Sequence, residues 1–373
     1  MCTRLTALTL AATVVLLAAA VAIAGTHAPW PADWNNWSDP PLWVTVGNPG
    51  NAGDTEVMWD GSTGYGTVGY TYKIAKFEVT ARQYCAFLNA VAKADPYGLY
   101  DEKMWPAPDY DWYGCRIQRT VVSGGYAYSV AEDWADRPVN YISWGDAARF
   151  ANWLTNGQPG GTLTGDPAQD AGLTEDGSYF LNGALSRADL VAITRKPNAR
   201  YAIPTEDEWY KAAYHKNDGV TGHYWDYPMG TDATPSNDVV DPDPGNSANF
   251  TWGFDWGVTD YCLGWPYWRT MVGEFENSPG PYGTFDQGGN VWEWDEGIEY
   301  WSQSAFRVMR GGGYGYNMGR PTLHASERGG AFPENSDSTD ILGFRIVEVP
   351  EPGALALVAL CGPSLLRRRR MRA

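Results

Sequence analysis

With Cys2 and Cys361 near the two ends set aside, the reactive side chains of this 373-residue chain are few. They are Cys85, Cys115 and Cys262, the histidines His27, His215, His223 and His324, and a large stock of carboxylates. The cysteines show no Cys-x-x-Cys or Cys/His spacing of the kind that holds zinc. Cys85 sits beside an apolar stripe and reads as a small core residue. His215 and His223 lie eight positions apart across Asp218-Gly219, off a common helix face, and read as a solvated pair near a helix end. His27 and His324 stand alone. A serine nucleophile needs an elbow or triad context, and none is present. Paired carboxylates could hydrolyse glycosides, but 44 acids always offer pairs, so pairing alone assigns nothing. No glycine-rich loop joins a strand to a helix in the way phosphate binding requires.

The elements that must position these groups are short. Glycine (43) and proline (25) are plentiful and only 19% of residues are charged, which favours loops and short strands over long helices. Nineteen Trp and 23 Tyr supply enough apolar mass for a core, which excludes wholesale disorder. The net charge of −17 excludes a basic nucleic-acid-binding face. Strand patterns fall at 44–46 and 69–74. Thr80 then caps a helix whose buried stripe is Tyr84, Phe87, Leu88 and Val91. Ser143, with Asp146 three residues on, opens a second helix that Asn156-Gly157 ends. Residues 157–198 read as a long excursion from the core. Thr205 and Glu208 form a capping box for a third helix, with Trp209, Ala212 and Ala213 facing inward. After Lys216 the pattern predicts irregular chain to the end. No repeat of 20–50 residues occurs, which excludes a solenoid or propeller.

Both ends stand apart from the fold. Residues 1–24 carry one charge, Arg4, and an apolar run ending in Ala22-Ile23-Ala24, the pattern of a secretory signal peptide. Residues 25–43 hold Trp and Pro without periodicity and read as an N-terminal arm. Residues 350–373 run from Pro350-Glu351-Pro352 through a short apolar stretch to Arg367-Arg368-Arg369-Arg370. This order resembles the PEP-CTERM sorting tails that an exosortase-type membrane enzyme cleaves. Such tails are common on proteins linked to extracellular polysaccharide. The resemblance implies export to the cell surface or beyond, with transient membrane association through the tail. Removing both ends takes away six basic residues and one acid, leaving 21 against 43 and a net charge of −22.

Six segments carry a second resemblance. They are Glu78-Val79-Thr80, the run from Pro138 to Ala147, and Ile203-Pro204-Thr205-Glu206-Asp207-Glu208-Trp209. The run from Tyr282 to Trp294, ending in Gly289-Asn290-Val291-Trp292-Glu293-Trp294, follows. Arg307-Val308-Met309-Arg310-Gly311-Gly312-Gly313 and Leu342-Gly343-Phe344-Arg345 complete the set. In this order they resemble the formylglycine-generating enzyme, or sulfatase-modifying factor, family over residues 44–347. The resemblance implies one α+β domain, C-type-lectin-like, with little regular secondary structure. It also implies structural calcium, at Asn249-Phe250 and at Asn290 with Glu293; Asp260 is a candidate for a further ligand. Turn hydrogen bonds are the other use such asparagines have.

The family's oxidase chemistry rests on two copper-binding cysteines five positions apart, just after the Gly-Gly-Ser-aromatic motif. Here the matching positions are Tyr316 and Pro321, and no cysteine lies between Cys262 and Cys361. Neither side chain can give Cu(I) the soft thiolate it needs, so no copper is expected. The iron-dependent branch of the family uses histidines in an added helical domain, which this chain lacks. The expectation is an exported, non-catalytic binding or structural module, with Tyr314, Tyr316 and Asn317 lining its ligand groove. Its partners would be extracellular polysaccharide or a surface protein. The alternative is an oxidase of the formylglycine-generating type, or another enzyme, working through a remodelled groove.

Overall fold

Thr80, Ser143 and Thr205 each stand before a helix, with Gln83, Asp146 and Glu208 respectively three residues later. In all three the cap oxygen accepts the third residue's N–H while that residue's side chain reaches back to the cap N–H. These boxes satisfy helix ends that would otherwise leave buried donors unpaired. They open α1 (Ala81–Val91), α3 (Trp144–Thr155) and α6 (Glu206–Tyr214). The shorter α2 (Glu132–Ala135), α4 (Pro167–Asp170) and α5 (Arg187–Ala192) lie between them. The computed structural model describes residues 42–105, 113–251, 262–315, 322–334 and 341–350. The expected signal peptide and nearly all of the arm and the sorting tail lie outside the described residues. No described helix is long and apolar enough to cross a membrane.

Two four-stranded sheets frame the helices. The first has the order β1 (Trp43–Val46), β2 (Tyr72–Ala75), β10 (Val347–Glu348), β5 (Tyr201–Ala202), all antiparallel. The second has the order β8 (Gly329–Ala331), β7 (Ser304–Arg310), β6 (Trp292–Trp301), β9 (Leu342–Gly343), with β9 parallel to β6. β3 (Ile117–Val122) and β4 (Gly125–Val130) form a separate hairpin. One continuous cluster of buried apolar residues runs from Val46 to Val347, so the described residues form one α+β domain of short elements, as expected. Its centre is aromatic. Phe87 of α1 and Phe150 of α3 meet edge-on at 5.3 Å, and Phe150 meets Phe344 at the same distance. Such pairs add about 0.5–1.5 kcal/mol to the burial of each ring.

Two expectations about the chain's course are corrected. Residues 292–310 are not irregular, because β6 and β7 are the longest strands described. Their register shifts between Trp294 and Ile298, a bulge that sets the Glu296 carboxylate on Arg195 at 2.8 Å. Residues 157–198 are not a loose excursion. Asp170 accepts the N–H groups of Thr164 and Gly165, while Glu175 takes both Nε and Nη2 of Arg149 from α3.

Candidate functional site

The motifs that carry the family resemblance pair with one another. Glu206, at the start of α6, holds the Nε–Nη2 edges of both Arg310 on β7 and Arg328. Glu208 takes Arg195. Glu293 on β6 takes Nε of Arg345 at 2.5 Å and Nη2 at 2.6 Å, and accepts Trp209 Nε1–H at 2.9 Å. Arg345 also donates to the Ala75 and Phe285 carbonyls, so it ties β2 to β6. Glu78 accepts from Asn290 Nδ2 and from the Val291 N–H, and burial pushes its carboxyl well above the usual range. Bidentate pairs of this kind are strong and geometrically demanding, so they fix these segments against one another.

Positive φ brings the glycine-rich turns close to their neighbours. Gly289 has φ +89, and a Cβ there would stand 2.4 Å from the Asn249 carbonyl. Gly311 has φ +97, and a Cβ there would stand 2.6 Å from the Gln287 carbonyl. The chain after Gly311 can thereby reach Asn290, whose carbonyl accepts the Tyr314 N–H at 2.9 Å. Tyr314 is the one groove candidate among the described residues; Tyr316 and Asn317 lie outside them, as does Pro321. Tyr314 is 1% exposed, so its ring is packed inside the domain rather than set out as a ligand surface. Its ring lies 6.1 Å from that of Tyr113, which in turn lies 5.4 Å from Trp268. Both outer rings are half-buried. Beneath them sits Arg269, fully buried, with its Cζ 5.6 Å from the Tyr314 ring centre.

The other reactive groups are poorly placed for chemistry. The reading of His215 and His223 as a solvated pair is half wrong. His223 is exposed beside Asp218 at 2.7 Å, but His215 is fully buried and bonds Tyr282 Oη at 2.7 Å. Burial lowers the His215 pKa, which favours the neutral imidazole. Lys211, on the same helix, donates to the Asn48 carbonyl, and burial pushes its ammonium down to about 8. Its burial gives the sequence no signal, because its partner lies on a remote loop. Cys85, Cys115 and Cys262 all carry free thiols. Burial pushes Cys85 and Cys262 up to about 12 and raises Cys115 as well, so none is an activated thiolate.

The two expected calcium segments differ. Asn290 Oδ1 already accepts from the Thr270 N–H and from Asn249 Nδ2, and both Glu293 oxygens hold Arg345. Those side chains do not fit a cation in this arrangement. Asn249 Oδ1 is buried and meets no donor among the described residues, which suits a hard cation. The neighbouring Phe250 carbonyl accepts Asn237 Nδ2, and Asp260 lies outside the described residues. No group of three or more His, Cys, Asp or Glu able to hold a metal occurs among the described residues.

Residues 56–349 match the sulfatase-modifying factor enzyme 1-like domain, so the chain belongs to that family. Among solved structures it is similar to CarF, at 21% identity and TM-score 0.45, over 83% of this chain and 98% of that one. Variable protein 1 of Treponema denticola is similar at 18% identity and TM-score 0.45, over 83% and 95%. PvdO from Pseudomonas aeruginosa follows at 19% identity and TM-score 0.39, over 83% and 91%. No curated protein matches the chain.

Proposed function

We propose that this chain is an exported, surface-sorted member of the sulfatase-modifying factor family that binds rather than oxidises. The observation that carries the reading is the replacement of the family's two copper-binding cysteines by Tyr316 and Pro321. The three cysteines of the domain support it, since burial keeps each of them protonated. The apolar segment at 1–24 and the Pro-Glu-Pro tail with its arginine cluster support export, tail cleavage by an exosortase-type enzyme and residence at the surface. The partners proposed are extracellular polysaccharide or a surface protein. They would be met by the aromatic groove around Tyr314. A structural calcium at Asn249-Phe250 would supply charge to a domain rich in carboxylates and order the neighbouring loop.

The test is mass spectrometry of a sulfatase-type cysteine peptide incubated with the protein, with and without copper. The expected result is an unchanged peptide. A product about 18 Da lighter, the mark of cysteine converted to formylglycine, would restore the oxidase reading, because that step requires an activated thiolate or a metal.

A further inference from the structure

A cleft of about 410 Å³ opens beside the C-terminal end of α6. Its volume lies within the range of about 300–1,000 Å³ that small-molecule sites take. Two stretches of chain line it. After α6 the chain turns back on itself, with the Lys216 N–H donating to the His223 carbonyl at 2.9 Å and the Trp225 N–H to the Tyr214 carbonyl at 2.8 Å. This turn brings Lys216, His223, Trp225 and Asp226 to the cleft. The loop between β1 and β2 supplies Asp54 and Glu56. Tyrosines tie the two stretches together. Tyr224 Oη bonds the Ala52 carbonyl at 2.9 Å, and Tyr210 Oη donates to Asp54 Oδ2 at 2.8 Å. The lining is therefore held in place by the protein's own bonds.

The charges around the cleft do not balance. Glu56 is hydrogen-bonded through its backbone N–H, to Asp54 Oδ1 at 3.0 Å, and its carboxylate has no partner among the described residues. Asp226 faces His324 Nε2 at 3.9 Å, beyond hydrogen-bond range. Lys216 is the one lysine or arginine of the lining, and its ammonium is already engaged. It lies 3.7 Å from the Trp225 ring centre and 3.5 Å from Asp232 Oδ2. The protein thus seats one ammonium here between an aromatic face and a carboxylate. Asp54, Glu56 and Asp226 are left without a lysine or arginine among the described residues. The net charge of −17 draws a further cation toward them at long range.

We propose that this cleft binds an amino sugar, with the sugar's ammonium on Glu56 and Asp226. An ammonium brings three N–H donors and a positive charge to carboxylates that lack both. A cleft of this volume takes a ring rather than a single slender side chain, and Thr55, His223 and the Asp54 carboxylate offer partners for ring hydroxyls. The half-buried Trp225 adds apolar surface of the kind that the C–H groups of a sugar pack on. The cleft lies apart from Tyr314 and uses no residue of the six family segments. The inference rests on the reading of the chain as a polysaccharide-binding module, and the test separates the two.

Isothermal titration of the full-length chain with a short glucosamine oligomer is compared with titration using the N-acetylated oligomer, a glucose oligomer of the same length, and spermidine. The glucosamine oligomer is expected to bind about tenfold more tightly than any of the other three, and to weaken as salt is raised. Glu56→Gln combined with Asp226→Asn is expected to lower its affinity about tenfold, the joint scale of two partly exposed ion pairs. Equal binding of the N-acetylated oligomer overturns the role of the amine. Equal or tighter binding of spermidine overturns the role of the sugar, and no binding of the glucosamine oligomer overturns the whole inference. These arms need only the unaltered chain, so a variant that fails to fold does not blunt them. A folded double variant with unchanged affinity overturns the cleft as the site. Binding of a neutral polysaccharide without any response to the amine removes this inference and leaves the binding module standing, whereas peptide oxidation removes the binding module itself.

Discussion

Arg345 and Arg269 are both fully buried and differ in everything that surrounds the guanidinium. Arg345 meets a glutamate with two donors and three backbone carbonyls with the rest, and every one of those contacts joins separate elements. Among the described residues the Arg269 side chain meets one carbonyl, and its Nε and Nη2 meet no partner. The first arrangement is complete within the protein and behaves as a staple. The second leaves two buried donors without a partner among the described residues. A buried charge stabilises a fold when its partner is present and burdens it when the partner is missing, so the same residue type fastens one region and burdens the other.

The largest expected effect comes from making the staple region resemble the surroundings of Arg269. Glu206→Gln removes the carboxylate shared by Arg310 and Arg328, leaving Arg310 with no carboxylate and Arg328 with Asp60 alone. The loss expected is about 3–5 kcal/mol, read as a lower urea midpoint. A smaller loss than that of an exposed pair such as Lys73–Glu348, worth about 0–1 kcal/mol, would erase the distinction between the regions. Next in size is calcium. Asn249 Oδ1 resembles the Arg269 edge in being buried without a partner, and a cation there adds stability by binding the native state alone. That amounts to about 2.7 kcal/mol at a hundredfold excess over Kd. EGTA should lower the melting temperature by several degrees, calcium but not magnesium should restore it, and Asn249→Ala should abolish the response. Identical melts in calcium and EGTA would leave Asn249 as a turn residue.

A third effect is read in the pH profile and concerns a buried carboxylate that has no ion pair among the described residues. Asp146 in the α3 capping box is pushed up to about 7 by burial, from an unfolded value near 4. Because the folded pKa is the higher one, the folded state holds the proton more tightly. The stability this contributes is fully present below pH 4 and is lost as pH rises through 7. Asp146→Asn, which keeps an oxygen for the Ser143 N–H, should flatten the fall in stability between pH 4 and 7. An unchanged pH profile would show that Asp146 ionises normally.

The helices were legible because their signals are local. Thr80, Ser143 and Thr205 announce helix starts within four residues, and the predicted inward faces of α1 and α6 are buried. The β6–β7 hairpin was not legible. Its first half is buried on both faces, so Trp292 to Asp295 show no alternation, and the bulge breaks the register after Trp294. Tyr314 was found from its place in the family pattern, but its depth was not, because Tyr113 and Arg269 reach it from distant segments. The bare edge of Arg269 has no sequence signal at all. Nothing local to Trp268-Arg269-Thr270 distinguishes an arginine without a partner from the arginines that have one.

The most direct test of the contrast is a paired thermal melt of Arg345→Met and Arg269→Met in buffer free of ligand. Arg345→Met strands the Glu293 carboxylate in the core and should lower the melting temperature steeply, consistent with about 3–5 kcal/mol. Arg269→Met removes a buried charge that has no carboxylate partner among the described residues, keeps most of the side-chain volume, and should leave the melting temperature unchanged or raise it. An equal fall for both variants would contradict the account, since it would mean that Arg269 is a staple like the others.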